Sequence, residues 1–306
     1  MAIQDETSFR SSNVSIQQLQ TFRLVMECGG YTAAAQSSHL STPSVWQHIQ
    51  ALERAYNIRL FERAGRRVRP TVAAQRLHEA VDQILVQLES TFDVVQKSNS
   101  EETIRIVTGV RMLLEDLAAP IARFREQHAN RLVIRHGHGA RAEELLLAGE
   151  TDIAMSLAAG FQQESPLIHY EPAYMVEFLA VASQDHAFSK SKTVNLKSLV
   201  KHELVVTAPG TQGRTALDEA LHREGLKANI AVETDNSAYT IACVRAGMGV
   251  GILAGRQTGT LCSNLTTRSL RKQLGRRQIV FMWRKGQLLT EPVLALIEQI
   301  KQLNVA

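Results

Sequence analysis

The sequence is short of the features that mark most other protein classes. Its 306 residues hold three cysteines, Cys28, Cys243 and Cys262. They stand far apart, form no CxxC pair and follow no secretory signal, which excludes a secreted disulfide scaffold and leaves a reducing, cytoplasmic setting as the expectation. No apolar run approaches the ~20 residues that cross a bilayer, so no membrane partner is expected. There is no G-x-S-x-G, H-E-x-x-H or P-loop, and the histidines are scattered, so no catalytic residue, metal or cofactor is expected. Net charge is only +4, which excludes a general polycation, so any surface for nucleic acid has to come from local clustering. What remains is ordinary globular composition, 44% hydrophobic and 21% charged, over a length that suits two to three domains.

The clustering is found near the N-terminus. Residues 1–14 are polar and aperiodic and read as a tail. Ser15 with Gln18 forms a capping box, and Leu19, Phe22, Val25 and Met26 recur at helical spacing until Gly29 and Gly30. A short alanine-rich helix over Thr32–Ser38 follows. Ser41 then caps a third helix with Pro43 in its first turn, where a missing N–H costs nothing. Val45, Ile49 and Leu52 form that helix's core stripe, which turns Thr42, Ser44, Trp46, Gln47 and Gln50 elsewhere. Arg59, Arg63, Arg66, Arg67 and Arg69, against the one acid Glu62, then read as a basic hairpin. Close-crossing small helices, a polar second helix and a basic wing predict a winged helix-turn-helix over 15–70 that places its second helix in a DNA groove.

From Thr71 a helix keeps Leu77, Val81, Ile84, Leu88, Phe92 and Val95 at nearly heptad spacing. It packs on its own domain or pairs with a second chain, and the length of the stripe favours a linker and dimerisation helix over 71–99. The polar Lys97–Glu102 stretch reads as a hinge. Strand and helix patterns then alternate. Strands are predicted at 103–108, 131–135, 152–156, 176–182, 204–206, 230–233 and 250–253, with helices at 113–127, 141–147, 215–224 and 237–246. This reads as a parallel, doubly wound α/β domain over 103–306. Two subdomains, about 103–178 with 280–306 and about 179–279, would enclose a small-molecule cleft at the strand ends.

On these residues the chain resembles the LysR-type transcriptional regulators. The resemblance is carried by Leu19-Gln-Thr-Phe22, Tyr31-Thr-Ala-Ala-Ala35, Leu40-Ser-Thr-Pro43, Gln47-His-Ile-Gln-Ala-Leu-Glu53, Leu60-Phe-Glu-Arg63, Arg66-Arg67 and Thr71. Gly149-Glu-Thr-Asp152 and Gly247-Met-Gly-Val-Gly-Ile252 extend it into the C-terminal part. Within the family, Gly210–Asp218 is most similar to the branch that regulates sulfur assimilation. The resemblance implies a periplasmic-binding-protein-like effector domain and a homodimer or homotetramer on double-stranded promoter DNA. It also implies a ligand that changes how the assembly bends that DNA, with RNA polymerase a candidate further partner. The chain departs from the family at Trp46, Gln47 and Gln50, where Ser, Arg and Arg are usual, so operator preference does not carry over.

Within this frame Gln47 and Gln50 suit adenine, and Thr32, Thr42, Pro43 and Ser44 lie near a helix N-terminus suited to phosphate. Trp46 meets a thymine methyl, a sugar or a neighbouring helix. Arg63, Arg66 and Arg67 position the DNA backbone or enter a narrow minor groove; the plain alternative is a solvated face. For the effector, the loops supply Thr108, Gly109, Arg111, Arg141, Thr211, Gln212 and Arg214. Three arginines favour a carboxylate, sulfate or phosphate, against the plain alternative of surface salt bridges. His136 and His138 line the cleft or sit in solvent. A Cys243–Cys262 redox pair is disfavoured against a buried helical thiol. The rival functions are an α/β enzyme, or a ligand-binding protein, with an appended winged helix.

Overall fold

The computed structural model describes residues 13–64, 67–96, 103–137, 139–158, 164–257 and 259–302. Most of the N-terminal tail (1–12), the hinge (97–102), Arg66 and His138 lie outside the described residues. The chain divides into two compact units, 1–96 with 284–288, and 97–283 with 289–306.

The first unit opens with α1 (Ile16–Cys28), whose capping box is formed: Ser15 Oγ accepts from the Gln18 amide at 3.2 Å and Gln18 Oε1 from the Ser15 amide at 2.9 Å. Gly29, at φ +68°, ends it in the left-handed conformation that glycine takes without strain. In α2 (Tyr31–Ser38), Ala34 and Ala35 are buried, and their small side chains let the neighbouring helices approach. Ser41 caps α3 (Thr42–Tyr56) by accepting from Ser44 N at 3.1 Å. The strands β1 (Phe61–Ala64) and β2 (Arg67–Pro70) pair antiparallel as the wing. Thr71 then caps α4 (Val72–Gln96) through the Ala74 amide. Phe22, Val45, Ile49, Leu52, Leu60, Val81 and Leu85 meet in one core.

The second unit begins with β3 (Thr103–Thr108). A helical run follows without a break through α5 (Val110–Met112), a π-helical turn (Leu113–Leu117) and α6 (Ala118–Gln127). Next come β4 (Arg131–His136), α7 (Ala140–Leu147), β5 (Ile153–Leu157) and β6 (Ile168–Ser183). After these are α8 (Leu196–Leu199), β7 (Glu203–Thr207), α9 (Gln212–Arg223), β8 (Asn229–Thr234), α10 (Ser237–Arg245) and β9 (Val250–Gly255). The chain closes with β10 (Leu265–Ser269), α11 (Arg271–Leu274), β11 (Arg276–Arg284) and α12 (Glu291–Lys301).

The strands form one sheet in the order β4-β3-β5-β11-β6-β9-β7-β8, with β10 beside β6. The expectation of a parallel, doubly wound sheet holds for part of it only. Pairs β3–β4, β3–β5, β7–β8 and β7–β9 are parallel, but β6 runs antiparallel to β9 and β10, and β11 antiparallel to β5. The physical reason is that β6 is a 16-residue strand serving two cores: Tyr174 and Val176 face one, Phe178, Ala180 and Ala182 the other. It carries the chain from one of these cores to the other, and Ile279 and Phe281 of β11 return it to the first. Two of the motifs that carry the resemblance act as joints. Asp152 Oδ2 accepts the Arg105 amide at 2.7 Å while its Oδ1 pairs with the Arg105 guanidinium, tying β5 to β3. Gly249 sits at φ +140° where an added Cβ would lie 2.5 Å from the Glu203 carbonyl oxygen, so only glycine lets β9 approach β7.

Candidate functional site

Two surfaces carry candidate chemistry, one in each unit. In the first, burial of Val45, Ile49 and Leu52 turns the opposite side of α3 outward. Thr32, Thr42, Pro43, Trp46 and Gln47 are exposed, Trp46 at 50%. Two further residues are already engaged. Ser44 is half-buried and its hydroxyl lies 2.7 Å from Ser41 Oγ, within the helix cap. Gln50, half-buried, donates from Nε2 to Glu53 Oε2 at 2.7 Å, while Glu53 Oε1 accepts the Leu60 and Phe61 amides at 2.8 and 3.2 Å. Glu53 thus joins the outward helix to the root of the wing. Arg63 and Arg67 lie on β1 and β2. His48 Nδ1 lies 2.8 Å from Thr21 Oγ1, whose hydroxyl also bonds to the Gln17 carbonyl, so His48 braces α1.

The expected dimerisation stripe divides. Val81 is buried and Leu77 packs on the same core as Phe22, so these two serve their own domain. Ile84 and Phe92 are 50% and 61% exposed, with Val95 beyond them and Leu88 half-buried between. A straight helix drifts about 20° per heptad against a 3.5-residue repeat, which separates the two ends of one sequence stripe.

In the second unit a cavity of about 410 Å³ opens where four helices begin. Gly109 precedes α5, Gly139 precedes α7, Thr211 caps α9 and Asn236 caps α10, and all four line it. Apolar wall comes from Met112, Leu157, Ile252, Leu253 and Ile279. The caps differ in kind. Thr211 Oγ1 accepts from Arg214 N, and Asn236 Oδ1 from Ala238 N and Tyr239 N, so these helices satisfy some of their own first-turn amides. Gly109 and Gly139 have no side chain to do so. The Ala142 amide is spent on the Gly139 carbonyl at 3.0 Å, and the earlier first-turn positions of α5 and α7, which have no acceptor within their helix, turn donors and the positive end of a dipole toward the cavity.

Of the expected effector residues, Gly109, Arg111, Arg141, Thr211 and Gln212 line the cavity; Thr108 and Arg214 do not. Thr108 is 2% exposed, at the end of β3. The three arginines are not free cations. Arg214 pairs with Asp218 at 2.9 Å and Glu233 at 3.3 Å, and Arg141, largely exposed, pairs with Glu144 at 3.0 Å. Arg111 is buried against Glu115 at 2.9 Å and Asp116 at 3.0 Å. Burial opposes the Arg111 charge, but Asp116, Tyr174 and Glu115 outweigh it and raise its pKa. Burial and then Asp116 push the Tyr174 phenol upward, and its hydroxyl donates to Asp116 at 2.6 Å. Each of the three arginines is thus already paired with a carboxylate.

Ser156, Asn236 and Ser237 also line the cavity, and Ser156 Oγ accepts the Gly139 amide at 3.0 Å. The signal for Asn236 was in the sequence, as an Asn-Ser pair between a strand pattern and a helix pattern. Ser156 had none, because a buried-strand serine looks like any other core position. His136 lines the cavity.

Two family models match the chain: a bacterial regulatory helix-turn-helix protein of the lysR family over residues 16–75, and the LysR substrate binding domain over residues 97–304. The transcriptional activator CmpR of Synechocystis is 24% identical over 79% of this chain and 79% of its own length. The regulator CysB of Haemophilus influenzae is 26% identical over 73% and 70%. These similar identities do not separate one branch of relatives from another. Among solved structures, HinK of Pseudomonas aeruginosa shares the fold with a TM-score of 0.56 over 94% of this chain and 98% of that one, at 21% identity.

Proposed function

Since the chain belongs to the LysR family of transcriptional regulators, we propose that α3 enters the major groove of promoter DNA and that a small anion in the cavity of the second unit controls the outcome. Trp46 and Gln47 reach base edges, with Gln50 beside them; Thr32, Thr42, Pro43 and Ser44 lie along the backbone; Arg63, Arg66 and Arg67 of the wing meet phosphate. Ile84, Leu88, Phe92 and Val95 join two chains, as a dimer or as half of a tetramer. The regulator works in the cytoplasm, with RNA polymerase as its further partner at an activated promoter.

The observation that carries the effector reading is the convergence of four helix N-termini on one cavity, two of them behind glycine caps. An anion placed there gains from amide donors and helix dipoles without displacing an existing side-chain acceptor. The volume of about 410 Å³ lies in the lower range of small-molecule pockets, which span about 300–1,000 Å³. With the apolar wall, this favours an organic carboxylate over an inorganic ion. Control requires only that the anion bind the two quaternary states with different affinity, and DNA must then change the anion's affinity by the same factor. Calorimetric titration of the full-length protein with small carboxylates, sulfate, phosphate and their neutral isosteres tests it. At least one carboxylate is expected to bind and to shift DNA affinity, while its neutral amide does not; equal binding of acid and amide overturns the anionic reading.

A further inference from the structure

Glutamine is a tolerant reader of DNA. A free glutamine can rotate its amide, offering donor beside acceptor to one base edge and its N–H groups alone to another. Gln50 is not free. Its Nε2 lies 2.7 Å from Glu53 Oε2, and a carboxylate only accepts, so the nitrogen has to face Glu53 and the carbonyl oxygen has to face away. Glu53 cannot turn to release it, because its other oxygen holds the Leu60 and Phe61 amides at 2.8 and 3.2 Å. The carboxylate is anchored by backbone on one side and orients the amide on the other.

We infer that Glu53 is a specificity-determining positioning residue: by holding the Gln50 amide in one orientation, it makes Gln50 a reader of adenine that rejects guanine. The inference rests on the reading that α3 faces the major groove. In that groove adenine offers an acceptor, N7, beside a donor, N6, which match the remaining N–H and the oxygen of the held amide. Guanine offers two acceptors, N7 and O6, and sets O6 against the Gln50 oxygen. A free glutamine would escape that repulsion by swinging its oxygen away and sharing both N–H groups between N7 and O6, which the held nitrogen, with one N–H spent on Glu53, cannot do. The carboxylate thus supplies the repulsive half of the discrimination from a position that need not touch DNA.

The test uses the full-length protein. A random duplex library first gives the preferred site; competition binding then compares that site with its single-base variants for wild type, E53Q, Q50A, the double variant and Q50R. Wild type is expected to prefer adenine over guanine at one position by about 5- to 100-fold. In E53Q the oxygen stays with the Leu60 and Phe61 amides and the new NH2 faces Gln50, which turns the Gln50 oxygen inward and its N–H groups outward, so the ratio is expected to fall below about 3-fold at that position while ratios elsewhere stay unchanged. In a Q50A background E53Q is expected to have no further effect on the ratio, because the two residues act as one. E53D, whose shortened side chain cannot serve the wing amides and Gln50 together, is measured in parallel and carries the test if E53Q binds no DNA. A uniform loss at every position, with the adenine ratio kept, would show a merely structural role and overturn the inference. Q50R separates that failure from failure of the premise. Arginine favours guanine, so a switch of preferred base shows residue 50 in the groove, and no change at any position removes it and the inference together.

Discussion

At the scale of single residues, helix ends and ion pairs decide what each side chain can do. Ser41 holds the Ser44 amide at the start of α3, so S41A is expected to lower the stability of the first unit by about 1 kcal/mol in urea unfolding. An unchanged midpoint would assign the cap to water. Cys262 is buried, and burial, followed by the Glu115 charge, pushes its thiol up to about 11. A raised pKa favours the neutral thiol, so at pH 7 Cys262 is expected to react with iodoacetamide far more slowly than exposed Cys28, with its rate climbing as pH rises toward 11. Rapid labelling of Cys262 in the native protein at pH 7 would contradict this. The same chemistry disfavours the Cys243–Cys262 redox pair. Caps were legible because Ser15 and Ser41 stand directly before periodic apolar residues. The ion pairs of the arginines, the plain alternative, were also present in the sequence: Arg111, Arg141 and Arg214 each have an acid three or four residues on, Glu115, Glu144 and Asp218. On a helix that spacing makes a competing partner.

At the scale of elements, α4 shows how one stripe takes two jobs. Leu85 is buried in the first unit's core while its neighbour Ile84 is half exposed. L85A is expected to cost about 2–5 kcal/mol, and I84E to leave the melting of that unit nearly unchanged while weakening self-association. Sedimentation and thermal unfolding of both variants distinguish the roles; a dimer indifferent to I84E would move the pairing surface elsewhere. Long periodic elements such as α1, α3 and α4 could be read from spacing. The first half of β6, and β10, β11 and α12, could not. Strand β11 begins with Arg276 and Arg277, which hides its buried Ile279–Met282 stretch, and α12 starts at a Thr290 that makes no side-chain cap bond. Strand direction is also absent from periodicity, since a two-residue repeat is the same read either way, so the antiparallel β6 and β11 emerged only from the pairing.

At the scale of the whole molecule, a duplex-reading unit and a unit with a ligand cavity share one chain. The anionic effector and the pairing of two chains are both proposals, and pairing is the premise on which control depends. A monomer presents one recognition helix, whereas a pair reads two half-sites about one helical turn apart. Affinity alone does not distinguish these, because the wing's arginines would bind any duplex at low salt. Hydroxyl-radical footprinting of the full-length protein on its library-selected duplex does. The account predicts two protected patches on one face, about 10 base pairs apart centre to centre, both lost together in I84E. A single patch, or a pattern unchanged by I84E, would contradict it.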